Sequence, residues 1–173
     1  MVWIWVLVIV AVIAVALVAV AFTRLVKLRN HTQMAWADID AQLKRRSDLI
    51  PELTEVVKGY ASHETSVFSE AAAARAGAAG DDPTARAASE QRVTASVGGL
   101  IGVAEAYPDL KAADRFSQLQ TELTETENRI ALARMVYNDT VQTFNTSIER
   151  LPASLIAGPL GFARRVLFDP GAA

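Results

Sequence analysis

The sequence predicts an all-α protein: an N-terminal transmembrane helix followed by an elongated up-and-down helical bundle. Three observations predict this. Residues 2–22 carry neither a charge nor a polar side chain. Beyond them the apolar residues recur at spacings of three, four and seven, the period of one helix face. No stretch alternates apolar and polar residues for long enough to make a sheet, and the chain is rich in alanine and sparse in proline. A length of 173 residues suits one domain with an appendage. The expected division is an anchor over residues 1–23, a bundle over 24–152, and a tail with a short helix over 153–173.

The apolar run from Val2 to Phe22 comes first. At the rise of an α-helix its length is about 31 Å, enough to cross a bilayer core of about 30 Å. The rival reading is a cleaved signal peptide, with Ala19-Val20-Ala21 as a small-residue cleavage site. No Lys or Arg precedes the run, however, and it is longer than an ordinary signal core. A retained single-pass anchor is therefore expected. Trp3 and Trp5 sit where indoles prefer the membrane interface, and Arg24, Lys27 and Arg29 follow the other end. This charge asymmetry predicts a cell-membrane protein with its N-terminus outside and residues 23–173 in the cytoplasm.

The next stripe is Trp36, Ile39, Leu43, Ile50, Leu53, Val57, Tyr60 and Val67, and it keeps its phase across Pro51. Ser47-Asp48-Leu49-Ile50-Pro51-Glu52 could be a helix end and restart, because proline disfavours α geometry in the residue before it. Continuity of phase instead predicts one kinked helix over residues 24–78. Asp82 before Pro83 is a cap and first-turn signal for a second helix over 83–106. Tyr107-Pro108-Asp109 punctuates the chain. Phe116, Leu119, Leu123, Ile130, Ala133, Tyr137, Phe144 and Leu151 then predict a long amphipathic helix over 111–151, broken by Pro152. The tail, with Arg164 and Arg165 among apolar residues 155–168, reads as a short helix, either capping the bundle or touching the inner leaflet.

Chemistry is sparse. With no cysteine, thiolate sites, cysteine nucleophiles and disulfides are excluded. A net charge of −2 argues against a nucleic-acid partner. His63-Glu64 resembles the start of a zinc-protease motif, but Val67 stands where the second ligand would be. Glu122, Glu125 and Glu127 do not share one helix face and read as a solvated acidic surface. Gly98-Gly99-Leu100-Ile101-Gly102 lies in a helical stretch, so close packing or local flexibility explains it better than a phosphate loop. Neither catalytic residues, a metal nor a cofactor is expected.

One charge stands out. In Lys44-Arg45-Arg46, Arg46 extends the apolar stripe, three residues after Leu43 and four before Ile50. A charge there must be paired, so Arg46 is expected to meet carboxylates on another helix and to fix helix register. Tyr137, Asn138 and Asn145 are expected to place hydrogen-bonding groups near the core of the long helix in the same way.

These residues carry a resemblance. Trp36-Ala37-Asp38-Ile39-Asp40-Ala41-Gln42-Leu43-Lys44-Arg45-Arg46-Ser47-Asp48-Leu49-Ile50-Pro51, then Val57-Lys58-Gly59-Tyr60-Ala61 and His63-Glu64, resemble the signature of the LemA family. Glu105-Ala106-Tyr107-Pro108-Asp109-Leu110-Lys111-Ala112, Leu119-Gln120, Glu127-Asn128-Arg129-Ile130-Ala131, Ala133-Arg134, Tyr137-Asn138, Phe144-Asn145 and Leu151-Pro152 continue it in order. The resemblance implies a single-pass bacterial membrane protein with an elongated helical bundle and no catalytic residues. One branch of the family is tied to magnetosome membrane formation, which hints at membrane organisation. The alanine-rich stretch between residues 71 and 88 departs from the family pattern.

Two function classes follow. The first is a membrane-anchored scaffold presenting helix surfaces to partner proteins, with no chemistry of its own. The second is an enzyme-like or sensory domain with a site of dispersed carboxylates, arginines and tyrosines, which a closed polar pocket joining Asp38, Arg46, Tyr107 and Glu127 would favour. A second helix returning only to the level of Lys58 would leave Trp36, Ile39, Leu43, Ile50 and Leu53 without an intrachain partner. Either the first helix breaks near Pro51 and folds against the bundle, or equivalent stripes of neighbouring copies pair; continuity of phase favours the second, a homo-oligomer held by residues 36–53.

Overall fold

The computed structural model describes residues 1–77 and 82–169. Among them every regular element is a helix. These are α1 (Val2–Tyr60), α2 (Thr65–Ala76), α3 (Pro83–Ala106), α4 (Pro108–Lys111), α5 (Asp114–Glu149) and α6 (Ser154–Ala157). Two compact units share them: Met1–Trp36 with Val136–Val166, and Ala37–Met135 with Leu167–Ala173.

In the first unit, nearly every residue of α1 up to Val20 is exposed, as an apolar helix made for lipid would be. Burial begins at Ala21 and Leu25, where Leu25 joins Phe144, Ile148, Ala157 and Phe162 in a small core. The reading of the tail as helix through Phe168 is corrected here. Only Ser154–Ala157 is helical, turns follow to Gly161, and residues 162–169 form no regular element. Gly161 adopts φ +73°, a conformation that side chains with a Cβ resist, and so redirects the chain out of the turn. The tail is then fastened to α5 through its backbone: Asn145 donates from Nδ2 to the Arg165 carbonyl and accepts the Arg165 N–H, both at 2.9 Å, and the Tyr137 hydroxyl donates to the Val166 carbonyl at 3.0 Å.

In the second unit, α1 passes through Pro51 without interruption. Leu49, Ile50, Leu53 and Val57 all lie in one buried core, so packing on both sides holds the helix across a residue that lacks its N–H. The expected single helix to residue 78 is nevertheless broken, ten residues later, at 61–64. Ala61 and Phe68 flank the break seven residues apart and both belong to the core. A break that preserves the heptad spacing leaves no mark on the stripe, which is why the period alone could not show it.

The break also changes the topology. Arg86 meets Asp40, and four residues later Glu90 meets Arg46, so α3 runs parallel to α1. Arg115 pairs with Glu52 and Glu127 with Arg46, so α5 runs antiparallel to α1. Since α3 does not descend from the far end of α1, it starts beside Asp40 and covers the stripe from there. Ile39, Leu43, Ile50 and Leu53 are accordingly buried within the chain, at 0–2% exposure, and the premise of the homo-oligomer is withdrawn. The Asp82 cap forms as expected, its carboxylate accepting the Ala85 N–H at 2.8 Å. Residues 78–81, where the first helix was expected to end, lie outside the described residues.

Candidate functional site: a buried charge chain between three helices

Glu90 extends the α3 stripe just as Arg46 extends that of α1: it stands three residues before Val93 and ten before Leu100, both buried. Folding the two stripes together forces the two charges into one interior. Each side chain keeps only 4% of its surface exposed. Arg46 Nη2 donates to Glu90 Oε2, while its Nη1 donates to Glu127 Oε2 at 2.9 Å and to Thr94 Oγ1 at 3.1 Å. Glu90 Oε1 faces Arg86 Nε at 3.2 Å, and Arg86 Nη2 reaches Asp40 Oδ1 at 3.1 Å. The result is an alternating chain of Asp40, Arg86, Glu90, Arg46 and Glu127 that ties α1, α3 and α5.

Burial pushes the Glu90 carboxyl above the ordinary glutamate value, and the attraction of Arg46 and then Arg86 offsets only part of this, with Glu127 adding a further upward push. Both Glu90 oxygens face guanidinium groups, so the carboxylate has little capacity left for a substrate. Beside the chain lies a cleft of about 430 Å³, lined by Arg46, Glu90, Thr94, Glu127 and Arg134 on its polar side and by Leu43, Ile130 and Phe168 on its apolar side. Glu127 is 56% exposed and opens this cleft to water.

Of the four residues whose convergence would mark a reactive pocket, Arg46 and Glu127 meet. Asp38 is exposed on α1 and does not line the cleft. Tyr107 terminates α3, its N–H bonded to the Ala104 carbonyl at 3.3 Å, and its ring packs on the core away from the cleft lining. Pro51 is exposed. In the other unit, the Trp36 and Tyr137 rings meet in a tilted contact with centroids 5.3 Å apart, and Asn138 is half-buried on α5. Glu127 departs from the solvated acidic surface expected of it by bonding Arg46, whereas Glu125 is exposed and Glu122 half-buried.

His63-Glu64 sits in the break between α1 and α2, with Glu64 at the N-cap position of α2, so the helical face a zinc motif requires does not exist there. Among the described residues no three His, Asp or Glu side chains gather as a metal-binding group. Sequence reasoning missed Glu90, Arg86, Thr94 and Asp40. The phase of Glu90 with Val93, and its spacing of four from Arg86, were the available signal.

The sequence profile of the LemA family matches residues 35–173. The chain is similar to magnetosome protein MamQ 2 of Paramagnetospirillum magneticum, 28% identical over 86% of this chain and 64% of the relative. It is 25% identical to magnetosome protein MamQ of Magnetospirillum gryphiswaldense, over 83% and 62%. Protein LemA of Metamycoplasma hominis is 26% identical over 84% and 67%. The chain thus spans somewhat less than two thirds of the length of the magnetosome relatives.

Proposed function

The chain belongs to the LemA family, and on that premise we propose that this membrane-associated helical protein is a single-pass scaffold whose bundle stands at the cytoplasmic face and holds partner proteins without catalysing a reaction. The observation that carries the reading is the use made of the charged interior. Asp40, Arg86, Glu90, Arg46 and Glu127 pair with one another and fasten three helices, so the charged groups that an active site would need are engaged in holding register. Leu132 and Met135, exposed at 58% and 63% on one face of α5, offer apolar surface to a partner.

The cleft beside Arg46 supports the second reading, an enzyme-like or sensory domain. Photo-crosslinkers placed at Leu132 and Met135 in the full chain, used in native membranes, separate the two. A scaffold gives discrete protein adducts that persist in the Glu127→Gln variant. Absence of adducts at both positions overturns the scaffold, and adducts that vanish with Glu127→Gln while the fold persists favour a sensory site.

A further inference from the structure

Within the first unit, residues 151–162 pack against α1 at the point where its apolar run ends. Phe162 lies 6.1 Å from Phe22, ring to ring, and also packs on Phe144. Arg24 follows Phe22 by two residues, about 3 Å along the helix, which is headgroup level if residues 2–22 span the bilayer. Arg24 and Arg150 line one cleft of about 220 Å³ whose remaining wall includes Leu17, Val20, Leu151 and Pro152. A second groove on α1 adds Lys27 beside Arg24. Glu149 binds Arg164 at 2.6 Å, but Arg24, Lys27 and Arg150 form no ion pair among the described residues. Leu151, Leu155 and Leu160 are exposed on the segment itself, at 74%, 70% and 49%. Free cations above an apolar wall, flanked by bare leucines at the edge of a membrane span, match one occupant in charge and in polarity.

We propose that this cleft seats an anionic phospholipid, its phosphate held by Arg24 and Arg150, with Lys27 adding positive charge from the adjoining groove, and its acyl chain lying along Leu17 and Val20, with Leu151, Leu155 and Leu160 dipping into the same leaflet. The proposal rests on residues 2–22 spanning the membrane, and adds a second, lipid-selective contact that the span does not require. The leucines supply adhesion and the cations supply selectivity, because a surface cation attracts anionic lipid whereas an apolar side chain does not discriminate between headgroups.

The test uses the full chain, in which a single introduced cysteine is the only one. A fluorophore is attached at Leu155→Cys, at Val10→Cys as a marker of the span, or at exposed Asp139→Cys as a control. The vesicles are of phosphatidylcholine doped with spin-labelled phosphatidylglycerol or spin-labelled phosphatidylcholine. Quenching is expected at positions 10 and 155 and not at 139. At 155 the anionic quencher should be the stronger, with its preference falling about fivefold for each of Arg24→Gln and Arg150→Gln. Quenching at 10 but not at 155 overturns the lipid contact and leaves the span standing. Quenching at neither overturns both. Equal quenching by the two lipids overturns the phosphate site, and loss of the anionic preference in millimolar inorganic phosphate assigns the cleft to a free anion instead.

Discussion

At the scale of single residues, Arg46 and Glu90 dominate because both are buried and each makes the other tolerable. Arg46→Met leaves Glu90 facing only Arg86 and should cost about 3–5 kcal/mol in denaturant unfolding of the full chain. The double variant Arg46→Met with Glu90→Gln should recover most of that loss. Glu127→Gln, at an exposed partner, should cost no more than about 1 kcal/mol. Unchanged unfolding in Arg46→Met would remove the register role. The raised Glu90 carboxyl also has a pH signature. It binds its proton more readily folded than unfolded, so its contribution to stability is complete below the ordinary glutamate value and is lost as pH rises through the raised folded value. Glu90→Gln should flatten that segment of the stability profile. Arg46→Met, by removing the larger of the two attractions, should move the segment to higher pH.

At the scale of elements, the sequence revealed what repeats and concealed what is phase-neutral. The second helix was legible to the residue because Asp82 and Pro83 announce its start and Tyr107-Pro108 its end. Arg46 was legible because a charge inside an apolar stripe violates its period. The break at residues 61–64 was not legible, since Ala61 and Phe68 keep heptad spacing across it, and with it went the direction of α3. The tail was misread because its order comes from hydrogen bonds to Asn145 and Tyr137, which no local period reports. Two further outcomes follow from the helices. A Cβ at Gly98 or Gly102 would meet nothing within 4 Å, and at Gly99 it would only reach ordinary contact with Val67 Cγ1 at 3.7 Å, so close packing demands none of the three glycines. Gly98→Ala and Gly102→Ala should each raise thermal stability by about 0.5–1 kcal/mol. Pro51→Ala, at an exposed position inside α1, should stabilise by up to about 3 kcal/mol. Destabilisation at 51 would show that the helix depends on the proline geometry.

At the scale of the whole molecule, the stripe from 39 to 53 is an interior surface and not a dimer seam. In the cysteine-free chain, Ile39→Cys and Leu43→Cys should react with a maleimide far more slowly than Lys44→Cys, whose side chain is 72% exposed. Comparable rates at all three would mean that α1 is uncovered there and would restore the pairing of copies. The scaffold itself stands on one premise: an apolar helix that crosses the membrane and leaves the bundle on the cytoplasmic side. Protease added to intact spheroplasts tests it most directly. The account predicts that residues 23–173 survive until the membrane is opened and are then digested; digestion of the bundle from outside an intact membrane would contradict it.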